Sequence, residues 1–251
     1  MSLNEGALNE ERMILALNDK KFEELNPNLQ TFVMQLFHDL DKSKRISCYH
    51  AEEYTKPDIV ISQGPKRRYV SLKTGTSDTM HNEKIEPFVE FLKENGFDDY
   101  TIESFLLYHY GDGTTDGSGS ERLGVFDVRK KYDERIRALN DAFNKSKDFI
   151  KKFADRVMFQ GVNPLAMPAD VIYHGNEEFG LFMSKNQFMR HVERKTWSYM
   201  EFSVHIGPFV IRPKARYPGR EIKNDENRRI VVVNYPRIMN DIPWIRNRYL
   251  F

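Results

Sequence analysis

Behind Asn26 and Pro27, apolar residues recur at Leu29, Phe32, Val33, Leu36 and Phe37. That spacing lays them on one helical face, and the asparagine–proline pair marks the helix start. Residues 10–17 form a shorter, charged segment of helical pattern. Residues 45–51, 56–62 and 68–74 read as three strands, with Gly64 and Pro65 supplying the turn between the last two. Residues 77–95 read as mainly helical: Ile85, Phe88, Val89 and Leu92 mark one face and Gly96 is a natural stop, while Pro87 either sits near the start or kinks the helix. Residues 105–110 read as a further strand. Residues 127–159 are the longest periodic segment, with Tyr132, Ile136, Leu139, Phe143, Ile150, Phe153 and Val157 at threes and fours and Ser146 in the one polar slot. The spacing predicts one long amphipathic helix whose stripe is core or, in a second reading, a seam between two copies. A strand over 170–174, a helix over 185–195 and strands over 204–212 and 229–234 complete the chain.

This order predicts an α/β (α+β) protein with a mixed central sheet flanked by helices and a C-terminal β-rich extension. Residues 1–120 should form the core with its hairpin, and residues 121–251 should pack on it as one unit. At 251 residues, 40% apolar and 30% charged, the chain can bury a sizeable core and is unlike a disordered one. The net charge of +1 excludes a global basic signal, but the charge is uneven. Residues 1–60 hold 11 acidic and 7 basic side chains, whereas residues 205–251 hold 10 basic and 4 acidic, which points to an anionic partner near the C-terminal part or to a solvated basic face. The single cysteine, Cys48, excludes an internal disulfide and a cysteine-rich zinc site. No signal peptide and no apolar run of membrane-spanning length is visible, so a cytoplasmic, soluble protein is expected.

The chemistry concentrates on the hairpin. Side chains two apart share one face of a strand, so Ser71 and Lys73 project together while Val70 and Leu72 face the other way. A turn centred near Pro65 places Asp58 across from Leu72 and Lys73, so a carboxylate and an ammonium should meet there. As a bare cross-strand pair this is worth roughly 0.2–1 kcal/mol and is structural. Glu86 on the following segment, beside its apolar stripe, adds a second carboxylate. Two carboxylates and a lysine suit phosphodiester hydrolysis: the acids hold Mg²⁺, a hard cation that prefers oxygen, and the lysine orients water or neutralises the phosphorus centre.

The order Pro57-Asp58, a short gap, a strand ending in Lys73 and then a helix resembles the PD-(D/E)-x-K nuclease superfamily, the restriction-endonuclease-like fold. The usual acid two residues before the lysine is replaced by Ser71. In one subset the missing glutamate is moved onto the following helix, as Glu86 would be, with 12 residues between it and Lys73. The resemblance covers roughly residues 27–110. It implies a metal-dependent DNA endonuclease of restriction or defence type, using Mg²⁺ or Mn²⁺. Asp58 and Glu86 would bind the metal, Lys73 would be catalytic and Ser71 would line the site. It further implies homodimerisation. Glu83, one turn away, competes with Glu86, and Glu24 stands where the superfamily often adds an acid from its first helix. The alternative is a non-catalytic nucleic-acid-binding protein on a decayed nuclease fold, which the loss of the acid at Ser71 motivates.

Other chemistry is weaker. The histidines at 38, 50, 81, 109, 174, 191 and 205 have no metal-ligand helical spacing; His81 could touch substrate or simply cap or fill the core. A serine–lysine hydrolase built on Ser71 leaves Asp58 and Glu86 without roles. Arg212, Lys214, Arg216, Arg220, Lys223 and Arg228 on the C-terminal strands and their loop could contact DNA phosphates, with Trp197, Tyr199 and Tyr217 available for stacking. The plain alternative for these residues is a charged strand edge that resists aggregation.

Overall fold

In the order of the chain, the computed structural model has helix α1 (Glu5–Leu17), α2 (Pro27–Leu36), strands β1 (Ser47–His50), β2 (Ile59–Gln63), β3 (Lys66–Lys73) and β4 (Thr79–Lys84), then α3 (Ile85–Glu94) and α4 (Asp99–Tyr110). It continues with α5 (Val125–Lys131), α6 (Asp133–Lys145), α7 (Lys147–Asp155), β5 (Val171–Gly175), β6 (Gly180–Ser184), α8 (Lys185–Arg194), β7 (Val204–Ile206), β8 (Phe209–Pro213), β9 (Ile230–Asn234) and α9 (Ile238–Arg248). The structure describes residues 5–75, 77–119, 121–197, 203–214 and 226–249. No described helix is long and apolar enough to cross a membrane.

The mixed α+β class expected from the pattern is present, as two sheets with helices. They belong to two units interleaved in sequence: residues 1–77, 154–191 and 237–251 form the first, and residues 78–153 and 192–236 the second. The boundaries therefore do not fall at residue 120.

The first unit holds a five-stranded mixed sheet in the order β1-β2-β3-β5-β6. The β3–β5 pair is parallel and the others antiparallel. Met13 and Leu17 of α1 and Leu29, Phe32 and Val33 of α2 pack with Ile59, Ile61, Val70, Leu72 and Tyr173 in one core. The predicted start of α2 is the observed one: Asn26 Oδ1 accepts from Leu29 N at 2.9 Å and Pro27 opens the helix. A turn one residue on either side of Gly64-Pro65 closes the β2–β3 hairpin, and Gln63 pairs with Lys66.

The second unit holds a four-stranded antiparallel sheet, β4-β9-β8-β7. Its core is strongly aromatic, with Phe88, Phe105, Phe143, Phe149 and Phe153 in ring-to-ring contact.

Four expectations are corrected here. Residues 105–110 are not a strand but the last half of α4. Asp98 caps that helix by accepting from Thr101 N at 2.9 Å, and burial of Ile102, Phe105, Tyr108 and His109 follows the helical period. The long helix over 127–159 is three α-helices, the last running into a π-helical turn over Arg156–Gln160. Tyr132 leaves helical geometry at φ −121°, ψ 28°, and Ser146, the polar slot, is a cap whose Oγ accepts from Phe149 N at 3.2 Å. Residues 77–95 divide into strand β4 and helix α3, so Glu83 lies on a strand. Pro87 is the third residue of α3, inside the first turn, where amides have no intrahelical acceptor and its missing donor costs nothing. The strand over 204–212 is a hairpin, turned at Gly207, whose φ of 57° suits glycine.

Candidate active site

The β2–β3 register shapes the site. Ile59 pairs with Val70, two residues short of the expected partner, so Asp58 lies beside Val70 and Ser71 rather than Lys73. Asp58 N donates to Val70 O at 2.9 Å as the last rung of the ladder. Beyond it the Asp58 carboxylate takes over: its Oδ2 accepts from Leu72 N at 2.5 Å and from Ser71 Oγ at 3.1 Å. Ser71 is fully buried, and its hydroxyl is turned to the Asp58 carboxylate. The expected Asp58–Lys73 pair is not formed. Lys73 Nζ instead donates to Leu72 O at 3.0 Å.

Glu10 of α1, which the sequence pattern did not single out, is an acid of the same unit that feels the Asp58 charge. Burial and then the negative charge of Asp58 push the Glu10 carboxyl above its ordinary value, with His50 and Lys73 pulling the other way. His50 on β1 bridges the neighbourhood, with Nδ1 3.8 Å from Glu10 and Nε2 3.0 Å from Glu11. Glu24, the sequence's choice for a first-helix acid, is exposed and accepts from Lys21 N at 2.7 Å within its own turn. The amphipathic pattern of residues 10–17 carried the missing signal: with Met13 and Leu17 buried against the sheet, Glu10 lies on the border of that stripe.

Glu83 and Glu86 belong to the second unit. Glu83 is buried on β4 with His81 Nε2 at 3.5 Å. Glu86, at the second position of α3, is exposed, and its carboxylate accepts from Arg229 Nε at 2.7 Å and from Arg229 Nη2. Of the basic residues assigned to DNA, Arg212 and Lys214 are exposed. Arg228 is corrected: it is buried, and its Nη2 lies 2.5 Å from Asp112 Oδ2, so it braces the second unit from inside. Arg216, Arg220, Lys223, Tyr199 and Tyr217 lie outside the described residues. Trp197 packs under Lys195 Nζ, 4.5 Å from its ring centre.

The residues of the first unit suit a hard cation in chemical type. Asp58 Oδ1 accepts no hydrogen bond among the described residues, and Glu10 adds a second carboxylate whose repulsion by Asp58 a cation would relieve. Among the described residues no group of three histidine, cysteine or acidic side chains converges as a ready-made cage. Mg²⁺ needs none, because it usually keeps several waters and is held by one or two carboxylates plus phosphate oxygens.

No protein-family model matches this chain, and no curated protein matches it. Among solved structures the chain is similar to restriction endonuclease MspI in complex with its cognate DNA, at 10% identity and a TM-score of 0.46, over 91% of this chain and 88% of that one.

Proposed function

We propose that the protein is a divalent-cation-dependent DNA endonuclease of restriction or defence type, with its centre on the β2–β3 hairpin of the first unit. What supports this reading is the Asp58 carboxylate at the end of the hairpin, anchored through Oδ2 alone, with Glu10, whose carboxyl is pushed up by burial and by the Asp58 charge, in the same unit. Asp58 and Glu10 would hold Mg²⁺ or Mn²⁺. When bound, the cation would polarise a phosphate oxygen and acidify a coordinated water. The chain's own residues then divide the remaining work. Leu72 N and Ser71 Oγ fix the Asp58 carboxylate by its Oδ2, leaving Oδ1 for the cation. Lys73 places positive charge where the phosphate acquires negative charge. The PD-(D/E)-x-K resemblance assigns the second acid to Glu86, whose carboxylate is held by Arg229 within the second unit. Exposed Arg212 and Lys214 supply non-specific attraction to the DNA backbone. Cutting both strands implies a homodimer.

The second reading, nucleic-acid binding without cleavage, draws on Ser71, which stands in the usual acid position and is fully buried against Asp58. Plasmid incubated with the protein and Mg²⁺ or Mn²⁺ separates the two. Cutting should be lost with EDTA and reduced at least about 100-fold in Lys73→Ala, the scale for removing one transition-state donor. Equal cutting by wild type and Lys73→Ala would refute the hairpin as the centre. DNA binding without cutting by the wild type would establish the second reading.

A further inference from the structure

A cleft of about 280 Å³ opens in the first unit where the parallel strands β3 and β5 end, between Thr74, Gly75 and His174 on one side and α1 on the other. Crevices at the carboxyl ends of parallel strands are common ligand sites, and this one carries three unused recognition groups.

The first is His174, which is 1% exposed and lines the cleft. Its Nε2 lies 3.3 Å from Ser77 O, and its Nδ1 is buried without a hydrogen-bond partner. A carbonyl only accepts, so Nε2 carries the proton. Burial lowers the ring's pKa below its ordinary value, and in the neutral ring Nδ1 is an acceptor without a donor. The second is Arg12 on α1, exposed and without a carboxylate or hydrogen-bond partner among the described residues. The third is Phe179, whose ring is 62% exposed at the cleft wall. Beside it, Asn176 Oδ1 accepts from Glu178 N and Phe179 N, and among the described residues its amide nitrogen is left to donate.

We propose that this cleft is a nucleotide subsite: Arg12 takes a phosphate and Phe179 stacks on the base, while His174, buried in the wall, shapes the floor beside them. Glu5, the one anionic group among the described lining residues, stands two helical turns from Arg12, about 10 Å along the axis, so the phosphate belongs at the Arg12 end. The nucleotide comes from a DNA strand if the nuclease reading holds, since Lys73 runs directly into Thr74 and Gly75. A free mononucleotide would use the same chemistry.

The test is calorimetric titration of the intact, metal-free protein with each deoxynucleoside 5′-monophosphate, with the parent nucleosides and with inorganic phosphate. At least one monophosphate should bind more tightly than its nucleoside or phosphate. Arg12→Gln should weaken it about tenfold, and Phe179→Ala about tenfold, within the range for loss of one base–aromatic stack. Both side chains are exposed, so neither change threatens folding. Displacement of a bound oligonucleotide by the monophosphate would identify the strand as the source, and independent binding of the two would identify a free nucleotide. Absence of monophosphate binding at millimolar concentration, or binding indifferent to both substitutions, would overturn the subsite even if plasmid cutting is observed. Monophosphate binding by a protein that cuts no DNA would uphold the subsite and remove the nuclease reading.

Discussion

Asp58 does two jobs in this structure, and two substitutions separate them. Its Oδ2 accepts from Leu72 N and Ser71 Oγ, and both donors belong to residues at most 6% exposed. Hydrogen bonds to a charged acceptor contribute about 1.5–3 kcal/mol each, and a buried donor left unpaired costs about 1–3 kcal/mol. Against this stands the repulsion with Glu10, which either substitution removes. Asp58→Ala abandons both donors and should lose about 3 kcal/mol. Asp58→Asn keeps a carbonyl oxygen in place, weakens two bonds to neutral strength and gains the relief at Glu10, for a net loss of about 1 kcal/mol. Urea unfolding at neutral pH, without divalent ions and at unchanged denaturant slope, gives these differences. Because the charge of Asp58 is one cause of the raised Glu10 pKa, Glu10 should titrate at lower pH in Asp58→Asn, as followed by carboxyl-carbon NMR. Both variants should lose plasmid cutting. Equal stability of the two variants, or a Glu10 titration unmoved by Asp58→Asn, would refute the role assigned to this carboxylate.

Other outcomes follow from the same geometry. The raised pKa of Glu10 means that its ionised form costs stability, a cost absent below the ordinary value of 4.5 and fully present above the folded value. Glu10→Gln should therefore be more stable than wild type near neutral pH, equal to it near pH 4, and less stabilised by added Mg²⁺; thermal melts at both pH values check this. His205 behaves in the opposite sense. Burial depresses its pKa from 6.5 to about 4, so wild type should lose up to about 3 kcal/mol as pH falls through that window, and His205→Leu should flatten this acid limb. Glu10→Gln should reduce cutting more than Glu86→Gln, because Glu86 is already engaged by Arg229; the reverse ranking in a plasmid assay would return the second ligand role to Glu86.

Local patterns were enough for several elements and for the hairpin that bears the proposed chemistry. Asn26-Pro27 set the start of α2, and Gly64-Pro65 set the turn between β2 and β3, because caps and turns draw on residues adjacent in the chain. The same locality explains the errors over residues 105–110 and at Ser146. Asp98 and Ser146 cap helices in the structure, whereas a continuous apolar run and a sustained period pointed to a strand and to one long helix. What the sequence could not contain was partnership across long separations. Glu10 feels the Asp58 charge because α1 packs on the sheet core. Arg228 leaves the surface for Asp112, and Arg229 takes Glu86, across more than a hundred residues. A carboxylate's role depends on which charges and donors surround it once water is excluded. That environment is a product of packing, so it first exists in the folded chain.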